Sequence, residues 1–130
     1  MSTSDMTNRA QSAQDEIEWT SLTSDGQLDE LKSLSFQKPV VIFKHSVRCG
    51  LSHSAKFKLE EEWNALKSDI YFFFLDLINY RPISDRLAMD FQVPHQSPQL
   101  LVIRNGQAVY DTSHHGVSVT SINRALMENA

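Results

Sequence analysis

Short apolar runs alternate along the chain with segments whose apolar residues recur at helical spacing, and this alternation restricts the fold strongly. Val40–Phe43 and Ile70–Leu75 are β-branched and aromatic runs, a pattern typical of strands that are covered on both faces of a sheet. A long helix from about Cys49 to Leu66 is predicted between them from one apolar stripe: Ala55, Leu59, Trp63 and Leu66. The cysteine therefore falls where a strand gives way to a helix.

The other segments complete the alternation. Asn105-Gly106 separates two apolar runs and is a strong hairpin signal. The remaining predicted elements are an edge strand around Ile17, Trp19 and Leu22, a helix capped by Ser24 or Asp25 that carries Leu28, Leu31 and Leu34, a helix from Pro82 or Ile83 to Phe91, strands over Gln99–Arg104 and Gln107–Thr112, and a helix from Ser118 to Met127. The order β-α-β-α-β-α-β-β-α predicts an α/β fold. Its mixed sheet has central parallel strands, a terminal antiparallel hairpin and helices on both faces.

Composition indicates one folded domain. The chain has 130 residues, of which 41% are apolar, and this suffices for one hydrophobic core. Residues 1–15 are almost entirely small and polar, so we expect a disordered tail there and a domain over residues 16–130.

Several classes of protein are disfavoured. The formal charge of −4 makes a nucleic-acid partner unexpected. A single cysteine excludes an internal disulfide and a zinc site built from paired cysteines. The longest apolar run falls far short of the roughly 20 residues that span a bilayer, and the first residues do not resemble a secretory signal. We therefore expect a cytoplasmic protein without a membrane partner.

Cys49 is the main chemical signal in the sequence. Ligands of open α/β sheets gather at the carboxyl ends of parallel strands, where this cysteine is predicted to lie. Free backbone N–H groups and the helix dipole favour a thiolate at a helix start. Arg48 and Lys44 would add positive charge, and Ser52 could donate a hydrogen bond to the sulfur. The alternative is a small buried hydrophobe, but the polar neighbours of Cys49 favour an exposed, activated thiol.

Two further features bear on the site. Pro98 precedes an apolar strand, where proline is often tolerated simply because its missing N–H is not needed. If the Ser97–Pro98 bond were cis, an extended substrate could pair with the backbone of Ser97. Of the histidines, His45 or His95 could alter the protonation of the thiol if folding brought either one close. The spacing of the five histidines, His45, His53, His95, His114 and His115, does not match a metal motif, so we predict no metal site.

Several short motifs in order carry a resemblance to a known family. They are Phe43 to Ser52, Arg81 to Ser84, His95 to Gln99, Asn105-Gly106 and Ser113-His114. Together they resemble the monothiol bacilliredoxins of the bacillithiol system, YtxJ type, over roughly residues 20 to 128. The resemblance implies a thioredoxin-like fold and a cytoplasmic thiol–disulfide oxidoreductase. It also implies that Cys49 is the active-site cysteine, that Ser52 closes the Cys-x-x-Ser motif, and that Pro98 is a cis-proline facing the thiol.

One position departs from the family pattern. The family usually has Cys-Pro-Ile-Ser, whereas this chain has Gly50 in second place. Cys-Gly-Leu-Ser is similar to the Cys-Gly-Phe-Ser of monothiol glutaredoxins, some of which hold an iron–sulfur cluster with glutathione. The small thiol that this chain would use, bacillithiol or glutathione, therefore stays open.

The preferred function is removal of a low-molecular-weight thiol from protein mixed disulfides through Cys49. The expected partners are S-thiolated client proteins and the small thiol as co-substrate, with no tightly bound cofactor and with a monomer or weak dimer as the working form. Arg48 could bind a carboxylate of the small thiol, unless it is engaged in a surface ion pair. The predicted substrate-binding residues are Arg48, Gly50, Ser52, His95, Ser97 and Pro98. The alternatives are a non-catalytic binding module, either an iron–sulfur carrier or a sensor that forms a disulfide-linked dimer.

Overall fold

The computed structural model describes residues 17–129, so the tail predicted over residues 1–15 lies outside the described residues. The strands are β1 (Thr20–Ser21), β2 (Val40–His45), β3 (Tyr71–Asp76), β4 (Gln99–Arg104) and β5 (Gln107–Ser113). The helices are α1 (Asp25–Leu34), α2 (Gly50–Glu62), α3 (Arg81–Phe91) and α4 (Val119–Glu128), with short 3-10 turns at Trp63–Ala65 and His114–Gly116.

The five strands form one mixed sheet in the order β1-β3-β2-β4-β5. The central strand β2 runs parallel to β3 and antiparallel to β4. The first strand, β1, is short and pairs only with β3 at the edge. The predicted mixed sheet, with parallel strands at its centre and a terminal antiparallel hairpin, is therefore confirmed.

Alternation along β2 assigns its side chains to two hydrophobic layers. Val40 and Ile42 pack with residues of α1 and α3, whereas Val41 and Phe43 pack with residues of α2 and α4. Successive side chains of a strand point to opposite faces, so helices cover both faces of the sheet as the sequence predicts. By the same alternation, Lys44 belongs to the α1/α3 face and His45 to the α2/α4 face.

The turn of the β4–β5 hairpin has the geometry that its sequence predicts. Asn105 and Gly106 have φ angles of 53° and 77°. Positive φ at both central residues defines the type I′ turn, whose twist matches that of the flanking strands. This turn pairs Arg104 with Gln107, and a register shift between Val102 and Ile103 then places Gln99 opposite Ser113 at the far end of the hairpin.

The helix after β2 is shorter than its apolar stripe predicts. Instead of continuing to Leu66, α2 ends at Glu62 and a 3-10 turn follows. Asn123 of α4 holds this turn, since its side chain donates to the carbonyl of Ala65 at 2.8 Å and accepts from Lys67 N at 3.0 Å. These contacts with a distant helix end α2, and a periodicity argument cannot detect them.

Candidate active site at the start of α2

Cys49 is the residue that immediately precedes α2. Its backbone is extended, with φ −111° and ψ 116°, and its carbonyl accepts from the N–H groups of Ser52 and His53. Its own N–H donates to the carbonyl of Ser46 at 3.1 Å, which closes the loop between β2 and α2. The side chain is half-buried rather than part of either hydrophobic layer. The structure therefore does not support the alternative of a cysteine buried in the core.

The N-terminus of α2 carries no competing anion. The first turn contains no acidic residue, and no side chain caps the helix. The backbone N–H groups of a first turn have no partners within the helix, and the dipole makes this end positive. An anion at Cys49 Sγ is thus the charge that this helix terminus favours.

The hydroxyl of Ser52 does not serve the sulfur, so the expectation that it donates to Cys49 is wrong. Ser52 is fully buried, and its Oγ accepts from the N–H of Ser46 at 3.0 Å. The same oxygen lies 2.7 Å from Nδ1 of His45. Ser52 faces the α2/α4 layer because it lies three residues into the helix, on the side that packs against β2. Its hydroxyl therefore holds the loop that leads to Cys49.

His45 is held in the interior by this contact. Burial lowers the pKa of His45 below its ordinary value, and the nearby charges of His53 and Lys56 lower it further. His53 Nε2 lies 2.9 Å from the carbonyl of Val47, so this nitrogen carries the proton and donates. His45 and His53 therefore stabilise the loop in front of the thiol from its inner and outer sides.

Lys44 does not lie beside the thiol, which corrects the expectation that it adds charge there. Its fully buried side chain points to the α1/α3 face, where Nζ lies 3.4 Å from Nδ1 of His95. The same ring nitrogen lies 3.3 Å from Ser84 Oγ. Burial lowers the pKa of Lys44 to about 8, with a contribution from Arg81. Burial also lowers the pKa of His95, helped by the charges of Lys44 and Arg81.

Ser97 and Pro98 lie at the same edge of the sheet as the loop that carries Cys49. Lys44 near the end of β2 pairs with Gln99 at the start of β4, so the residues just before β4 adjoin the β2–α2 loop. The Ser97–Pro98 peptide bond is cis. Ser97 Oγ is buried and has no hydrogen-bond partner among residues 17–129.

Arg48 and Gly50 flank the cysteine on the surface. Both are exposed, and Arg48 forms no ion pair with any residue of the described range 17–129. The alternative role of Arg48, a surface ion pair, is thus not formed in this range. The guanidinium group is available to an anionic partner.

The turn at His114–Gly116 is a part of the site whose role the sequence did not reveal. The N–H of His114 donates to the carbonyl of Pro98 at 3.1 Å, and His114 has a positive φ of 56°. Positive φ is uncommon outside glycine, so this turn is held by its surroundings. The available signal was the Ser113-His114 pair, which periodicity arguments do not interpret.

Within residues 17–129, no group of three or more His, Cys, Asp or Glu side chains could hold a metal ion. In the same range, no helix combines the length and the apolar character needed to cross a bilayer.

Solved structures resemble the chain over most of its length. A candidate oxidoreductase with a thioredoxin fold is 27% identical, with 82% of this chain and 91% of that chain covered and a TM-score of 0.70. Reduced thioredoxin of Schistosoma mansoni is 20% identical, covering 86% and 98% of the two chains with a TM-score of 0.63. Thioredoxin of Trypanosoma brucei brucei is 16% identical, covering 86% and 90% with a TM-score of 0.62.

The fold and the site define a thiol–disulfide oxidoreductase of the thioredoxin fold. The model of the family described as monothiol bacilliredoxin BrxC matches residues 20–122. Because this match covers most of the chain, the protein belongs to the monothiol bacilliredoxin family. The resemblance inferred from the sequence motifs is thereby confirmed.

Proposed function

We propose that Cys49 removes bacillithiol from mixed disulfides on client proteins in the cytoplasm. The observation that carries the proposal is the position of the sulfur, half-buried at a helix N-terminus that neither a side-chain cap nor an acidic residue occupies. Membership of the bacilliredoxin family supports this reaction class. The absence of a second cysteine in the chain favours a monothiol mechanism.

The reaction is two successive thiol–disulfide exchanges. The Cys49 thiolate attacks the small-thiol sulfur of the client's mixed disulfide, a bond forms between these sulfurs, and the client sulfur leaves as a thiolate. A second small thiol then attacks the adduct as its thiolate, which forms the symmetrical small-thiol disulfide and restores Cys49. One disulfide is thereby exchanged for another: the client sulfur passes from disulfide to thiol, and the incoming small thiol passes from thiol to disulfide.

Different groups around the sulfur would bind the small thiol and the client protein. Exposed Arg48 is placed to bind a carboxylate of the small thiol. The backbone of Ser97 beside the cis Pro98 would pair with an extended client segment as an added strand. Gly50 adds no side chain next to Cys49, and the space that a Cβ would occupy there is open. Ser52 and His95 act indirectly, because they position the loops that carry Cys49 and Pro98.

The test is release of a free client thiol. A client protein carrying one bacillithiol mixed disulfide is incubated with the full chain and bacillithiol, and intact mass spectrometry follows loss of the adduct. Cys49→Ser should abolish the release, because the serine hydroxyl does not attack disulfides under these conditions. A parallel series with a glutathione mixed disulfide identifies the preferred small thiol.

Three outcomes would contradict the proposal. They are release that persists in Cys49→Ser, a wild-type chain that turns over with neither small thiol, and accumulation of a chain dimer linked through Cys49 in place of turnover. The last result would favour the sensor alternative. Lys67→Gln, on an exposed surface residue distant in sequence from the site, is the matched control and should release the client thiol at the wild-type rate.

A further inference from the structure

A cleft of about 100 Å³ opens beside the first three turns of α2. One wall is α2, the helix that follows Cys49, and the other is the turn at His114–Gly116. A single water needs about 10–15 Å³ of space for its centre, so the cleft has room for a small polar group such as a carboxylate. The residues that line it include Leu51, Ser54, Lys58, His114 and His115.

The polar groups at this cleft are cationic or hydrogen-bonding, and two of them are free. Lys58 and His115 are exposed, and neither forms an ion pair or a side-chain hydrogen bond with residues 17–129. Lys56, two residues earlier on the same helix, is instead bound to Glu60 at 3.0 Å. The lining contains no carboxylate that would repel an anion.

The nearby N-terminus of α4 does not offer an alternative anion site. Ser118 Oγ accepts from the N–H of Ser121 at 3.0 Å, and Glu62 Oε1 accepts from the N–H of Val119 at 3.3 Å. The side chains of this protein thus already occupy the amides of that helix start. An anion in this region would have to be bound by the side chains of the cleft.

The wall that carries the two histidines is held in place. His114 donates its N–H to Pro98, and a Cβ on Gly116 would overlap Thr112 Oγ1, so the turn packs closely on β5. A turn fixed in this way presents its side chains with little ordering cost on binding. The same turn contacts Pro98, and Pro98 lies at the sheet edge where the Cys49 loop begins. The cleft and the thiol are therefore held by neighbouring parts of the fold.

We infer that this cleft binds a carboxylate of the low-molecular-weight thiol whose sulfur exchanges with Cys49, with Lys58 and His115 as its specificity-determining residues. The inference rests on the proposed function and extends it to the anionic part of the small thiol. The lining runs along α2 from Leu51, two residues after the cysteine, to Lys58, nine residues after it, which is about 3 to 13.5 Å along the helix axis. A tripeptide-sized thiol extends about 5 Å to either side of a central cysteine, which reaches the near end of the cleft, and the Lys58 side chain approaches that end because helical side chains are directed toward the helix N-terminus.

The test compares disulfides with and without carboxylates. The reduced full chain reacts with glutathione disulfide, with bacillithiol disulfide and with neutral 2-hydroxyethyl disulfide, and intact mass spectrometry measures the rate of adduct formation on Cys49. The double variant Lys58→Gln/His115→Gln is compared with Lys67→Gln as control. Because the contacts are exposed and charge-assisted, we expect the rate of adduct formation in the double variant to fall about three- to ten-fold with the carboxylated disulfides. The rate with the neutral disulfide should not change. Half-molar salt should remove most of the wild-type preference.

Three results would contradict this inference. Equal rates of wild type and double variant with the carboxylated disulfides would overturn the assignment, and so would an equal fall with the neutral disulfide, since the substitutions would then act on the thiol itself. Absence of any adduct with the carboxylated disulfides would also overturn it. Because adduct formation needs no client protein, these results can be told apart from a failure of client release.

Discussion

Ser52 lies three residues after Cys49, yet its hydroxyl is part of the connection between β2 and α2. It accepts from the N–H of Ser46 and bonds to His45 in a fully buried position. A buried donor that loses its acceptor costs about 1–3 kcal/mol, because water cannot replace the lost hydrogen bond. The serine of the Cys-x-x-Ser motif is therefore a residue that positions the loop before the thiol.

Replacing Ser52 with alanine should lower the free energy of unfolding by about 1–3 kcal/mol. The substitution leaves the N–H of Ser46 and Nδ1 of His45 without their buried partner. Urea denaturation at pH 7 measures the change. Ser54→Ala is the matched control, since Ser54 is exposed on the same helix, and it should change stability by less than about 0.5 kcal/mol. Equal stability of the two variants would refute this role for Ser52.

At the scale of elements, the start of α2 tolerates the proline that the family usually has. Gly50 is the first residue of the helix, where a missing N–H leaves no intrahelical hydrogen bond unmade. Cys49 before it has extended φ and ψ angles, which are the angles required of a residue that precedes proline. A Cβ at position 50 would also meet no atom within 4 Å.

Gly50→Pro should therefore raise the free energy of unfolding by about 0.4–1 kcal/mol, because it restricts the unfolded chain at a position whose native conformation proline adopts. Thermal and urea denaturation measure the gain. Gly50→Ala is the companion variant, since it restricts the chain less and retains the N–H. Loss of stability in the proline variant alone would mean that the N–H of residue 50 makes a necessary contact.

At the scale of the whole molecule, Lys44 places an amine between the central strand and α3. Its side chain is fully buried, and it forms no ion pair with any residue from 17 to 129. Burial lowers its pKa from 10.5 to about 8. The folded state therefore releases this proton at a lower pH than the unfolded state, and the stability of the protein rises as the pH increases from about 8 to 10.5.

Lys44→Met should stabilise the fold at pH 7 by about 1–3 kcal/mol, because it removes a buried charge that lacks a carboxylate partner. The gain should shrink between pH 8 and 10.5, the range in which the wild-type lysine loses its charge. Urea denaturation across this range measures the difference, with Lys67→Met as the exposed control. A gain that is independent of pH would show that packing, not charge, is responsible.

Local patterns were sufficient to predict the elements of this fold and the residue at its reactive centre. Asn105-Gly106 predicts a hairpin because few residues adopt two consecutive positive φ angles. The runs in β2 and β3 predict central strands because only sheets covered on both faces accommodate them. Cys49 could be located because its place between a strand and a helix depends on neighbours in the sequence.

The end of α2, the direction of Lys44 and the partners of Ser52 could not be predicted in this way. Each depends on a contact that folding creates. Asn123 holds the turn that follows the helix, the Lys44 amine lies against His95, and Ser52 Oγ contacts His45. The sequence by itself determined which elements form and where the thiol lies, since short-range sterics and periodicity control both. Only the tertiary structure decided what surrounds the thiol, because packing brings together residues whose separation along the chain carries no local signal.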